Sequence, residues 1–308
     1  MSTPRKRQSA PPLDPVAAAV APDLADGVDA GPSGMSRRPS WAVVGAVCWL
    51  GVVLFAVVFA SLLPLHEPGA LVGTPRTAPF VDLSDPLGRD WLGRSQLSRL
   101  VNGARTSILV GAGAVGLGLT VGGVLGAAAG YVRGRTEGVL NIAADAMVSL
   151  PPLFVLLVIT AVLSQDRQTL VLGLGLIATP AFYRLARAST MSLASRDFVM
   201  AAKAMGASPS RIMFRELLPN VIIPLLSYSF LIFAIMVVAE GSLSFLGLGV
   251  PPPAPSWGGQ LAGGRQFLST DPHLVIVPGL LFVFTVLSLN VLGDDVRRRF
   301  DIKESSLQ

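Results

Sequence analysis

Two carboxylates stand where carboxylates are costly. Asp145 lies inside the apolar run from Val139 to Leu163, and Glu240 closes the run from Leu217 to Ala239. A carboxylate at membrane depth marks an ion or solute pathway, or pairs with another polar group. Asp145 is about two turns from one end of its run, so capping or interhelical bonding competes with a pathway role. Glu240 reads either as a boundary residue or as part of an outer gate. Other chemistry is poorly supplied. His66 and His273 are far apart, and the single cysteine, Cys48, sits in an apolar run. That leaves no His/Cys spacing for a metal and no intrachain disulfide. None of the three lysines follows a glycine, so the chain has no Gly-Lys-Ser/Thr phosphate loop. "GSLSFLG" is not the Gly-x-Ser-x-Gly nucleophile turn. No catalytic residue and no bound cofactor are expected, and ATP, if used, binds another chain.

The elements that must position these residues are apolar spans. The 308 residues are 51% hydrophobic and 14% charged, against roughly a quarter charged in soluble domains, and mean hydropathy is +0.61. A helix needs about 20 apolar residues to cross the hydrocarbon core. Six candidates follow: Trp41–Leu63, Thr106–Gly130, Val139–Leu163 broken by Pro151-Pro152, the short Gln168–Tyr183 containing Pro180, Leu217–Ala239 and Leu274–Leu292. The expected fold class is an all-α membrane protein with six transmembrane helices.

Charge sets its direction. With the N-terminus inside, the cytoplasmic segments hold five Lys/Arg before the first span and two in Arg133 and Arg135. Six more fall between Arg184 and Arg215, and four at the C-terminal end. The opposite face keeps seven of the 24. The positive-inside rule then places both termini in the cytoplasm. The pI near 10 is accounted for by this asymmetry, without nucleic acid. Residues 1–40, rich in Ala, Pro and Asp, read as a disordered cytoplasmic tail. Residues 41–105 hold the first span and a long extracytoplasmic loop. In that loop Leu97, Leu100 and Val101 beside Arg94 and Arg99 suggest an interfacial helix. Residues 106–303 form the core, followed by a short tail at 304–308.

Gly118, Gly122, Gly126 and Gly130 recur every fourth residue. They form a stripe along which a neighbouring backbone, in the same or another subunit, can approach closely.

Between the fourth and fifth spans lies "DFVMAAKAMGASPSRIMFRELLPN". Ser195 is expected to cap a helix with Asp197 in its first turn. Phe198, Ala201, Ala202 and Met205 make one apolar stripe at helical spacing. Gly206 ends that helix, and Ser208-Pro209 starts another carrying Arg211 and Arg215. The unit is either a surface hairpin anchoring the loop or a docking element for a soluble partner.

This stretch resembles the EAA loop of ABC importer permeases: Glu-Ala-Ala, three residues, Gly, nine residues, Ile, any residue, Leu-Pro. Ala201, Ala202, Gly206, Leu218 and Pro219 match; Met200 stands for the usual Glu and Glu216 for the usual Ile. Three further segments resemble the dipeptide/oligopeptide/nickel permease group: "DPLGRDWLGRSQLSRLVNGARTS", "AEGSLSFLGLGVPPPAPSWGGQL" and "NVLGDDVRRRFD". Asp145 before "SLPP" also matches. Together these cover roughly residues 40 to 303. The resemblance implies a type I importer permease of the bacterial inner membrane, multi-pass. Its coupling loop would span 195–220, with Met200, Ala201, Ala202, Lys203, Gly206, Arg211, Glu216, Leu218 and Pro219 as ATPase-coupling positions. It further implies two ATPase subunits carrying ATP and Mg, a second permease subunit, usually a different chain, and an extracytoplasmic binding protein. Di- or oligopeptides are the expected solutes, with nickel chelates or glutathione as alternatives. A self-contained secondary transporter would show an internal repeat and midplane carboxylates; no convincing repeat is found.

Overall fold

The computed structural model describes residues 40–305. Most of the expected tail at 1–40, and residues 306–308, lie outside them. Among the described residues there are nine helices, a 3-10 turn at Arg265–Phe267 and no β-strand, only two isolated bridges, Leu71 to Arg94 and Arg89 to Ser95. The helices are α1 (Trp41–Phe59), α2 (Gln96–Val132), α3 (Arg135–Ser149), α4 (Pro152–Val162), α5 (Arg167–Ala194), α6 (Asp197–Ala204), α7 (Pro209–Phe245), α8 (Trp257–Gly264) and α9 (His273–Ser305). Five are long and apolar enough to cross a membrane: α1, α2, α5, α7 and α9. The pair α3–α4 makes a sixth if taken as one span, but its two halves meet at 90°.

That right angle departs from the broken but single span expected between Val139 and Leu163. Its cause is local. Leu150 precedes a proline and takes extended backbone (φ −84°, ψ 130°), and Pro151 does the same (φ −58°, ψ 126°). Pro152 then supplies the first turn of α4, where its missing N–H costs nothing. Pro180, by contrast, leaves α5 unbroken. The helix that holds the expected fourth span is therefore 28 residues long and continues beyond that span through Arg184 and Arg187.

The centre of the fold is the α2–α5 contact. Gly118, Gly122, Gly126 and Gly130 all face α5 within the same chain, against Ala178, Thr179, Phe182, Tyr183, Ala186, Arg187 and Thr190. A methyl group at Gly118 would sit 2.8 Å from Ala178 Cβ, and one at Gly130 2.6 Å from the Arg187 carbonyl oxygen. At Gly122 and Gly126 the obstacle is again backbone, the carbonyls of Thr179 and Tyr183. Each glycine costs a helix about 1 kcal/mol relative to alanine. Backbone contact along about three turns offsets that cost, because in lipid, dispersion and close packing drive association.

The expected interfacial helix is not a separate element. α2 is continuous over 37 residues, and its first turns are enclosed by protein. Ser95 caps it, accepting from the Ser98 N–H. Arg94 and Arg99 both pair with Asp90, the latter at 3.3 Å. Arg99 also donates to the Pro68 carbonyl, and Ser98 to that of His66. Arg89 pairs with Asp85 at 2.9 Å and with Asp82. Arg76 pairs with Asp271. Hydrogen bonds from the Ser84 hydroxyl and N–H, with Arg89 beside them, hold the Asp82 carboxyl below the usual carboxylate range. The loop before α2 is thus held by ion pairs within itself, to the first turn of α2 and to Asp271 before α9.

Candidate functional site

Three groups of residues can carry function: the α6 loop, the two carboxylates, and a cavity at the α3–α4 bend.

α6 is a short rigid knuckle. Its start differs from expectation: Arg196 holds the capping position, and the Ser195 hydroxyl donates back to the Ser192 carbonyl. Its end follows the glycine rule. Gly206 has φ +81°, its N–H reaches the Lys203 carbonyl, and the Ala207 N–H reaches that of Ala202. These two bonds close the helix at a residue without a Cβ penalty. The buried face is not the expected stripe. Val199 and Ala202 are buried against Ile212 and Leu217, with Tyr131 and Leu193 beside them. Phe198, Met200, Ala201 and Met205 are exposed, Met205 by 82%. Lys203 turns its ammonium over the Tyr131 ring, 5.9 Å from the centroid, and so ties α6 to the end of α2.

The loop continues without interruption into the fifth span. Ser208 caps Pro209–Arg211, Ile212–Leu217 form a π-helical turn, and α-helix resumes at Leu218 with Pro219 in its first turn. Arg211 and Pro219 are exposed, whereas Glu216 and Leu218 are half-buried. The helix that begins at Pro209 thus runs without a break to Glu240, and Ile212 and Leu217 pack its first turns against α6.

Asp145 forms an interhelical ion pair: its Oδ1 lies 2.7 Å from an Arg184 nitrogen on α5. It is the last rung of a ladder that sequence reading missed. On α3, Glu137, Asn141 and Asp145 repeat every fourth residue; on α5 they meet Arg187, Tyr183 and Arg184. The four-residue spacing was the available signal. Exposure rises along it, from 17% for the Glu137 side chain to 70% for Asp145.

Glu240 is not a boundary residue facing solvent or lipid. It is fully buried. Its Oε1 accepts from the Ser244 hydroxyl at 2.7 Å, one turn along α7. The Ser107 and Ser256 hydroxyls also approach the carboxyl, but Oε2 lacks a hydrogen bond of normal geometry. Both serines accept backbone N–H groups from α8, Ser107 from Trp257 and Ser256 from Gly259. Their own protons are thereby left for the carboxyl. α8 doubles back so closely that Gly258 lies against the Gly241 backbone. Trp257 and Gln260 then bond the α2 carbonyls of Leu100 and Arg99.

At the α3–α4 bend an apolar cavity of about 230 Å³ is lined by Met147, Val148, Leu150, Val155, Leu176 and Pro180, among others. Among the described residues no three of His, Cys, Asp and Glu are placed to hold a metal ion.

Residues 122–303 match the family described as binding-protein-dependent transport system inner membrane component. The chain belongs to that family. It is accordingly an ABC importer permease and a multi-pass protein of the inner membrane. The permease is 34% identical over 265 residues to the di/tripeptide transport system permease protein DppC of Pseudomonas aeruginosa (strain UCBPP-PA14), covering 84% of this chain and 88% of the relative. It is 36% identical to the dipeptide transport system permease protein DppC of Escherichia coli (strain K12), covering 87% and 90%. It is 33% identical to the glutathione transport system permease protein GsiD of Pectobacterium atrosepticum, covering 71% and 73%. Its fold is similar to a chain of the MetNI methionine ABC transporter in an inward-facing conformation. That likeness has a TM-score of 0.54 at 19% identity, over 66% of this permease and 96% of that chain.

Proposed function

We propose that this permease forms half of the translocation path of an ATP-driven importer of dipeptides or oligopeptides, and that α6 couples it to an ATPase subunit. The observation that carries the coupling role is the exposed small-residue knuckle. Ala201 and its apolar neighbours Phe198, Met200 and Met205 face outward, while Val199 and Ala202 fasten the helix to the fifth span. In this reading both termini and α6 are cytoplasmic. Support comes from the concentration of Lys and Arg on that side. On the other side, Arg76, Arg89, Arg94 and Arg99 are matched by aspartates of the same loop or of the segment before α9. The complex comprises a second permease, a different chain, two ATPases that bind ATP and Mg, and an extracytoplasmic binding protein. ATP binding closes the ATPase pair, α6 follows, and α7 carries the shift to the outer half, a rocking between two discrete states. This chain makes no covalent bond in the cycle.

The peptide substrate is supported by the dipeptide and di/tripeptide names of relatives covering most of the chain. Glutathione, itself a tripeptide derivative, is the second reading, favoured by the GsiD likeness. Uptake of a radiolabelled dipeptide by vesicles containing the whole complex tests both. ATP-dependent dipeptide uptake that glutathione does not compete supports the first, whereas no dipeptide uptake with ATP-dependent uptake of radiolabelled glutathione supports the second. ATP-independent uptake contradicts the importer reading.

A further inference from the structure

The Asp145–Arg184 pair has an unusual setting. Its partners below in the ladder, Glu137 with Arg187 and Tyr183 with Asn141, already hold α3 to α5. The last rung is the most open, with side-chain exposures of 70% and 53%. Neither charge is enclosed by the chain, so both are open to a polar solute. The cavity adds the second half of the argument. Val148 lies three residues beyond Asp145 and Pro180 four before Arg184, so each shares a helix face with its charged neighbour. Both line the cavity. The charge pair and the apolar cavity thus stand about one turn apart on the same two helices.

From this juxtaposition we infer a transient binding site for the zwitterionic main chain of a short peptide, with an apolar side chain in the cavity. The inference rests on the peptide-importer reading. The Asp145 carboxylate takes the α-ammonium, and the Arg184 guanidinium takes the α-carboxylate, bidentately where geometry allows. One ion pair is exchanged for two, so neither charge is left unpaired. A cavity of about 230 Å³ is smaller than the roughly 300–1,000 Å³ of drug-sized ligand pockets. It suits one side chain rather than a whole peptide. Occupancy must be weak, because a passage that holds its solute tightly does not conduct it.

The test uses the assembled complex in vesicles, without nucleotide, with Cys48→Ala removing the native thiol and Val148→Cys introducing one at the cavity. Saturating leucyl-leucine should slow maleimide labelling of the introduced thiol by about tenfold, the scale of a lost charge-assisted contact. The doubly blocked N-acetyl-leucyl-leucine amide should not. Asp145→Asn or Arg184→Gln, each made separately, should remove the protection; either suffices if the other fails to assemble. Equal protection by the blocked peptide overturns the site. So does a thiol that is unreactive before peptide is added, which would mean the second permease covers it. A labelling rate set by phosphatidylethanolamine content and indifferent to peptide also overturns it, in favour of a lipid. Uptake by the unmodified complex separates the two claims. Leucyl-leucine uptake without protection rejects this site alone, whereas no dipeptide uptake rejects the peptide reading and the site with it.

Discussion

Gly122 of α2 lies against the carbonyl oxygen of Thr179 on α5, with no room for a Cβ between them. The obstacle is backbone, which cannot rotate away as a side chain can. Gly122→Leu should therefore force the two helices apart and lower the yield of assembled complex several-fold. Gly116→Leu is the control, because nothing lies within 4 Å of a Cβ there. Gel filtration of detergent-extracted membranes reads both. Equal yields would show that the contact is not needed for assembly.

Ala201 and Ala202 are neighbours with opposite environments, the first exposed and the second buried against Ile212 and Leu217. Ala201→Arg should leave the chain inserted and abolish stimulation of ATPase activity. Ala202→Arg should instead lower the amount of folded protein, since an unpaired buried charge costs several kcal/mol. Normal stimulation in Ala201→Arg would remove the docking role of that face.

Gly206 has a left-handed backbone (φ +81°) with nothing within 4 Å of a Cβ. Its need for glycine is conformational, not steric. Gly206→Ala should cost about 1–2 kcal/mol locally and Gly206→Asn less, because asparagine tolerates this region. ATPase stimulation at raised temperature should then fall in the order Gly, Asn, Ala. Equal stimulation in all three would mean that the α6 terminus does not need this geometry in the complex.

Glu240 is enclosed by hydroxyls from α2, α7 and the segment before α8. Glu240→Gln keeps the shape and an acceptor for Ser244, so the complex should retain most of its thermal stability. Glu240→Leu leaves buried hydroxyls without a partner, at roughly 1–3 kcal/mol, and should lower the melting temperature of the complex by several degrees. A stable Leu variant would mean that the serines find other partners.

The spans were legible because long apolar runs have few alternatives in sequence space, and the glycine stripe because its period is four. The faces of α6 were not. Phe198, Val199, Met200, Ala201 and Ala202 are consecutive and all apolar, so periodicity cannot separate the face that packs from the face that docks. Only the positions of Ile212 and Leu217, brought back against α6 by the turn at Gly206, decide it. Pro151-Pro152 signalled a break, but not its 90° angle, which the extended backbone of Leu150 and Pro151 sets. The neighbours of Glu240 divide in the same way. Ser244 is visible at one turn's spacing, whereas Ser107 and Ser256 arrive from remote segments.

The most direct test of the account is gentle-detergent purification of the tagged chain from its native membrane, with every co-purifying protein identified by mass. The account predicts phosphate-loop ATPases and a second six-span chain in stoichiometric amounts. A chain that purifies alone and moves peptide into vesicles without ATP would contradict it.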